Sequence, residues 1–527
     1  MLGATPHCML LLCAAMCCAV LFYFAFYGQQ STPQLAKLSL AGGCDPSTHE
    51  DTIWSSIISS AAGSPTADTA ALMAAPSPQN PIKVGIVTVR SPSKNHEGKH
   101  FLIDGVVGSS HLSLHKICVM GSFKGCPVDV LKDTPATAAI HDDSDFEDIA
   151  FWIVHVCRVK TEENPDRNLA MRRMVWYLSA RWKVLLVDFA DYWQDSFYEN
   201  HLFNAELAEK GWGRAVGPAV KYEYEYNGDG DDGDEDREAS RDAMNIGANF
   251  SNLHLAVRSR VDGRHWNSTL GLQVTGFLCT ELDEFWSNHT GNTPVAMPYA
   301  VRGDTVQELH ELVPFQSLRK RVISTELRMA SLRAGFLDRP PPHTDRPMDV
   351  IHLWRSAMFF NYGLYRSNVS AVIERMDNQP LQIDGNGQPD TTSRTIRAST
   401  KLQGQRGKMG RNFVEEAYIL ALLQSKIVVV TQRDEWEDHY RLFESMASGA
   451  LVIHDTMLSP PRGVVDGTSI VFFESLEDLE RKIVYYLQHE EERLGIAERG
   501  WMVAMGQHRS WHRVEEVVFG CPLTNSF

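Results

Sequence analysis

Residues 439–453 read HYRLFESMASGALVI, a run that gathers side chains suited to a ligand carrying both hydroxyls and negative charge. Leu442, Phe443, Met446 and Ala447 recur at helical spacing and predict a helix packed on a sheet, while Arg441, Glu444 and Ser445 are candidates for a cleft. A carboxylate accepts hydrogen bonds from neighbouring hydroxyls, and a guanidinium meets phosphate oxygens in a fixed fork. Gly449 ends the helix where a positive φ is admitted, and ALVI follows as a short strand leading to His454 and Asp455. The plainer alternative is an ordinary helix–strand unit with a solvated Glu444. Should the reaction need a proton acceptor, His155, Asp188 and Asp191 stand near strand ends. Buried structural histidine and helix-capping aspartate compete as explanations for these three.

The elements that must position these residues alternate between strand and helix. IKVGIVTV at 82–89, IAFWIVHVC at 149–157 and KVLLVDFADYW at 183–193 are β-branched apolar runs typical of strands buried on both faces. A helix-like stretch, NLAMRRMVWYLSARW, separates the last two. This cadence predicts an α/β fold with parallel sheets, whose ligands bind beyond the carboxyl ends of the strands. Pro340, Pro341, Pro342 and Pro347 mark a linker. Beyond it come a strand at MDVIHLW, helices at RSNVSAVIERM and NFVEEAYILALLQ, and a second buried strand at SKIVVVTQ.

At 527 residues the chain exceeds one core, and its net charge of −16 argues against a nucleic-acid surface. Residues 221–242 form an acidic, solvated insert; seven acids less Arg237 between Asp229 and Glu238 contribute −6 of that charge. Its DxD matches, Asp229/Asp231, Asp232/Asp234 and Asp234/Asp236, arise almost automatically in a Gly-Asp run, and no calcium-loop frame fits. No metal site is expected. From Cys8 to Tyr27 the chain is free of charge and proline, long enough to cross ~30 Å of hydrocarbon, and reads as a signal anchor rather than a cleaved signal peptide. Residues 31–80 read as a flexible stem. Sequons at Asn249, Asn267, Asn288 and Asn368 place the remainder on the lumenal side if they are used. Six cysteines follow the span, Cys44, Cys118, Cys126, Cys157, Cys279 and Cys521, allowing up to three disulfides, with buried free thiols as the alternative.

RLFESMASGALVI resembles the donor-binding segment of group 1 glycosyltransferases, particularly the spore-protein-like branch. GWMVAMGQHRSWHRV at 500–514 resembles that branch's closing helices, with His508, Trp511 and Arg513 standing for its His, aromatic and Arg. The detailed likeness spans residues 410–515, and Pro298-Tyr-Ala-Val-Arg is only weakly similar to the end of the family's first domain. The resemblance implies the GT-B fold, two Rossmann-like domains facing a cleft. Residues 81–335 would form the acceptor domain and 345–527 the nucleotide-sugar-binding domain. It implies that Glu444 holds the donor ribose, and that Gly449 keeps backbone close to the donor with Ser448 beside it. Arg355, Arg433 and Arg441 are diphosphate partners by position. The nucleotide sugar is a co-substrate, and no cofactor or metal is implied.

One position departs from the pattern. Many group 1 enzymes carry another glutamate eight residues before the second, but Trp436 stands there, flanked by Glu435 and Glu437. Sugar identity and stereochemistry are therefore left open. The expected function is a single-pass type II membrane glycosyltransferase of the Golgi or endoplasmic reticulum, with a lumenal catalytic region and a glycan or glycoprotein acceptor. Its rivals are an exostosin-like or xylosyltransferase-like enzyme, and an inactive lectin-like or scaffold protein of the same fold.

Overall fold

A computed structural model describes residues 77–88, 98–120, 148–156, 165–188, 250–257, 286–297 apart from 289, 346–353, 361–381, 394–400, 416–431, 440–457 and 460–524, with shorter stretches and single positions elsewhere. Every described residue belongs to one unit, Pro46–Phe527. The expected anchor at 8–27, nearly all of the stem and the acidic insert at 221–242 lie outside the described residues. Among the described residues no helix is long and apolar enough to cross a membrane.

The first half builds a parallel sheet from β1 (Ile82–Thr88), β2 (Leu112–Val119), β3 (Phe151–Val156), β4 (Lys183–Asp188), β5 (Leu253–Val257) and, after a short ladder of β6 (Trp266–Asn267) and β7 (Gln273–Val274), β8 (Val295–Ala296). The sheet order is β2-β1-β3-β4-β5-β8. β3 sits inside it with all six residues buried, as its unbroken apolar run requires. β2 lies at the edge, and its reading LSLHKICV alternates polar with apolar residues. That pattern suits a half-solvated strand and carries no continuous apolar signal. A disulfide joins Cys118 at the end of β2 to Cys126, and Cys521 is also disulfide-bonded. Helices α1 (Asp104–Gly108) and α2 (Pro165–Ser179) belong to this half.

The second half is a parallel sheet of β9 (Met348–Ile351), β10 (Ala398–Ser399), β11 (Ser425–Val430), β12 (Leu451–Asp455) and β13 (Val471–Phe473), ordered β10-β9-β11-β12-β13. Its helices are α3 (Asn361–Met376), α4 (Glu416–Leu423), α5 (Tyr440–Ala447), α6 (Leu476–Gln488) and α7 (Glu490–Gln507). Ser475 starts α6 by accepting a hydrogen bond from the Asp478 amide, a side-chain N-cap.

The last helix, α8 (Ser510–Phe519), leaves its own half. Val514, Val517, Val518 and Phe519 join the buried cluster that holds Val84, Ile86, Phe101, Phe151, Ile153 and Val187 of the first half. The unit expected over 345–527 thus gives its closing helix to the first sheet. α8 lies so close to α1 that a Cβ on Gly105 would sit 2.6 Å from Val514, and one on Gly108 2.4 Å from Trp511. Glu515, fully buried, accepts from the Leu523 and Thr524 amides at 2.7 Å each and from the Ser109 and Thr524 hydroxyls. One carboxylate therefore ties the chain's end to the turn between α1 and β2.

Candidate active site

α5 is amphipathic, as its spacing predicts, and Leu442, Phe443, Met446 and Ala447 are buried with Val428, Val430, Val452 and Trp501. Its first residue points elsewhere. Tyr440 enters the buried cluster of the first half with Ile153, Val187, Met297 and Ala300, so the start of α5 stands where the two halves meet.

The groups around that start lie at the carboxyl ends of the second sheet's strands. Arg441 donates from Nη1 to the Leu353 carbonyl at 3.2 Å, just past β9. His352, beside it and fully buried, has Nδ1 3.0 Å from the Ser370 hydroxyl of α3. Burial first, and then the charges of Arg366 and Arg441, push its pKa down to about 3, so the ring is neutral between two guanidinium groups. Thr431 is fully buried just after β11, and His454 and Asp455 close β12, with Nδ1 2.8 Å from the Asp455 carboxylate.

Glu444 sits one turn after Arg441 and is fully buried. Tyr418 of α4 donates its phenol to Glu444 Oε2 at 2.9 Å. Burial and the Glu444 charge raise the phenol's pKa well above its ordinary value, against a weaker opposing pull from Arg441. The phenol therefore remains a donor across the usual pH range.

The closing run at 500–514 stands behind this helix. The His508 ring stacks on Phe443 with centroids 4.3 Å apart, and its Nε2 lies 2.7 Å from the Arg462 carbonyl. Arg513 reaches His508 Nδ1 and pairs with Glu516 at 2.6 Å. A guanidinium can only donate, so Nδ1 accepts and Nε2 carries the proton. Burial, and next the Arg513 charge, hold the His508 pKa well below its usual value in agreement with that tautomer.

Of the residues expected from sequence, Arg441 and Glu444 come together at this end. Ser448 and Gly449 require a correction, because α5 runs away from the strand ends and places them at the opposite edge of the sheet. There Arg346 donates to the Ser448 carbonyl at 2.7 Å and to the Ser425 carbonyl, where β11 begins, at 2.7 Å. Gly449 has φ 74°, and a Cβ on it would lie 3.2 Å from Pro341. Its role is to end the helix against the linker. His155 belongs to the first sheet. It is fully buried next to the carboxyl end of β3, and burial lowers its pKa to about 4, so the ring is neutral. Asp188 ends β4 with its side chain outside the described residues, and Asp191, Arg355, Arg433 and Trp436 lie outside them altogether.

Tyr418, His352, Arg366 and Tyr440 were not singled out from sequence. A phenol inside the apolar run EAYILALL, which must find a partner when buried, was the available signal for Tyr418. His352 offered a weaker one, an imidazole ending the run MDVIH.

The family model described as glycosyl transferase-like matches residues 373–518. No curated protein matches the chain in sequence. Sucrose-phosphate synthase from Thermosynechococcus elongatus aligns at 10% identity over 83% of this chain and 95% of its own, with a TM-score of 0.30. Anabaena HepE, solved with UDP-glucose, aligns at 8% identity over 83% and 98%, with a TM-score of 0.34. A glycosyltransferase from Rickettsia africae aligns at 10% identity over 82% and 96%, with a TM-score of 0.30. At such scores the description of the fold rests on the chain's own two parallel sheets. Residues 373–518 are glycosyl transferase-like, and the resemblance to group 1 glycosyltransferases read from residues 410–515 holds over that segment.

Proposed function

We propose that the chain is a glycosyltransferase that takes a sugar from a nucleotide-sugar donor at the carboxyl ends of the second sheet and passes it to a glycan or glycoprotein acceptor. The observation that carries this reading is the placement of Glu444 and Arg441 on α5, whose first residue, Tyr440, packs against the first half. Glu444 accepts the ribose hydroxyls. Arg441, with Arg355 and Arg433, takes the diphosphate. The amides at the start of α5 add positive potential where the leaving nucleotide gains charge. Transfer then depends on holding the acceptor hydroxyl in line with the donor, a contribution of orientation from the first half. Asp188 and Asp191 are the acids to test as acceptor bases, and no metal or cofactor is invoked.

The same proposal places the enzyme in the secretory pathway as a type II membrane protein anchored through residues 8–27. The Cys118–Cys126 disulfide supports an oxidising lumen, and the sequon residues Asn288 and Asn368 are exposed. The experiment is a binding and turnover panel of uridine, guanosine and adenosine diphosphate sugars on the full chain in detergent, with Glu444→Leu beside it. Binding of one nucleotide class, weakened at least ~10-fold by the substitution as befits lost bonds to a charged group, is the expected result. A chain that binds none of the panel sinks the reading.

A further inference from the structure

We propose that Tyr418 is a positioning residue of the donor site, holding the Glu444 carboxylate in the one orientation that selects ribose over deoxyribose nucleotides. The inference rests on the reading of Glu444 as the ribose acceptor and adds to it the group that fixes its geometry.

A glutamate has three side-chain torsions, and a carboxylate free to turn offers hydroxyl groups no fixed target. Tyr418 removes that freedom. Its side chain belongs to the buried cluster that also holds Leu422, Leu442 and Phe443, and close packing there limits its torsions. Its hydroxyl donates to Oε2 at 2.9 Å. Arg441 lies three residues earlier on the same helix, on the face Glu444 shares. A neutral donor on one oxygen limits how far the carboxylate swings toward that cation, which is wanted for phosphate. A carboxylate offers about four lone-pair directions over its two oxygens, so one group can serve a phenol and ribose hydroxyls together. The high pKa of the phenol keeps it a donor throughout.

The test measures, on the full chain, the affinity of whichever of UDP, GDP and ADP binds best, together with its 2′-deoxy and 3′-deoxy forms. Wild type is expected to favour the ribose form at least ~10-fold, and Glu444→Leu to abolish the preference. Tyr418→Phe is expected to reduce the preference to about 2–3-fold, an effect that a purely structural bond would not produce, since general loosening weakens both forms alike. A Tyr418→Phe protein that keeps the full preference overturns the proposal and leaves the role of Glu444 standing. A wild type with no preference overturns both. Should Tyr418→Phe alone not fold, the Tyr418→Phe/Glu444→Leu pair, which replaces both buried partners with apolar groups, remains informative. Adding Tyr418→Phe to Glu444→Leu is expected to change affinity by less than about 2-fold, and a further ~10-fold loss would show Tyr418 acting other than through the carboxylate, overturning the proposal.

Discussion

Acid should unfold this protein well above the pH at which carboxylates protonate, because at least four of its imidazoles are buried neutral, and His343 and His508 are lowered as well. Burial lowers His155 and His254 to about 4 and His352 and His512 to about 3, from an ordinary value of 6.5. Neighbouring cations add to the effect of burial at three of them, Lys183 at His254, Arg366 and Arg441 at His352, and Arg513 and Arg509 at His512, where Glu515 opposes. In the unfolded chain each ring takes a proton near pH 6.5, whereas in the fold it does not until the lowered value is reached. The unfolded state therefore binds more protons, and stability falls as pH drops from about 6.5 toward 4. Between pH 7 and pH 5 each ring contributes a loss of roughly 2 kcal/mol, about 7 kcal/mol for the four. That is comparable with the whole stability of an ordinary domain, ~5–15 kcal/mol. Urea unfolding of the full chain at half-unit steps from pH 7.5 to 5 should reveal an uptake on unfolding near pH 5.5 of at least roughly 3.5 protons, the share of these four rings. His352→Gln should lower the uptake by about one. An uptake below about one proton would refute the burial of these rings.

The other predictions concern the ends of α5 and the closing helix. Gly449→Ala should cost about 1–3 kcal/mol, since φ is 74° and the new Cβ meets Pro341 and Arg346, yet leave nucleotide affinity within about 2-fold. Thermal unfolding and a binding titration on the same variant check both halves, and a large affinity loss would restore Gly449 to the donor site. Glu515→Gln should cost about 2–4 kcal/mol by leaving buried hydroxyl and amide donors short of acceptors, and should open the Cys521–Thr524 tail to carboxypeptidase. Hydrogen bonds from His111, Ser109 and Thr524 hold the Glu515 carboxyl below its usual range despite burial, so its contribution is present at neutral pH and lost as pH falls below about 4.5. A wild-type unfolding midpoint for Glu515→Gln would contradict that role. Weakened nucleotide binding in Glu444→Leu and a reduced ribose preference in Tyr418→Phe complete the set.

What was legible in the sequence is what local pattern can carry. β1, β3, β4, β9, β11 and β12 announce themselves as apolar runs because strands buried on both faces have no polar side to show. α5 is visible for the complementary reason, an apolar face at helical spacing beside Arg441 and Glu444. β2 is silent because an edge strand alternates, and the packing of α8 on the first sheet is not written along the chain, where nothing says which sheet a terminal helix will cover. The direction of α5 relative to its sheet separated Glu444 from Gly449, five residues on, and set one beside Tyr418 and the other against the linker. Sequence alone determined the two-sheet α/β plan, the helix bearing Arg441 and Glu444, and the family segment. The tertiary structure alone decided that Tyr418 meets Glu444, that Tyr440 joins the halves and that His155 is core, because each depends on contacts between residues far apart in the chain, which no local periodicity encodes.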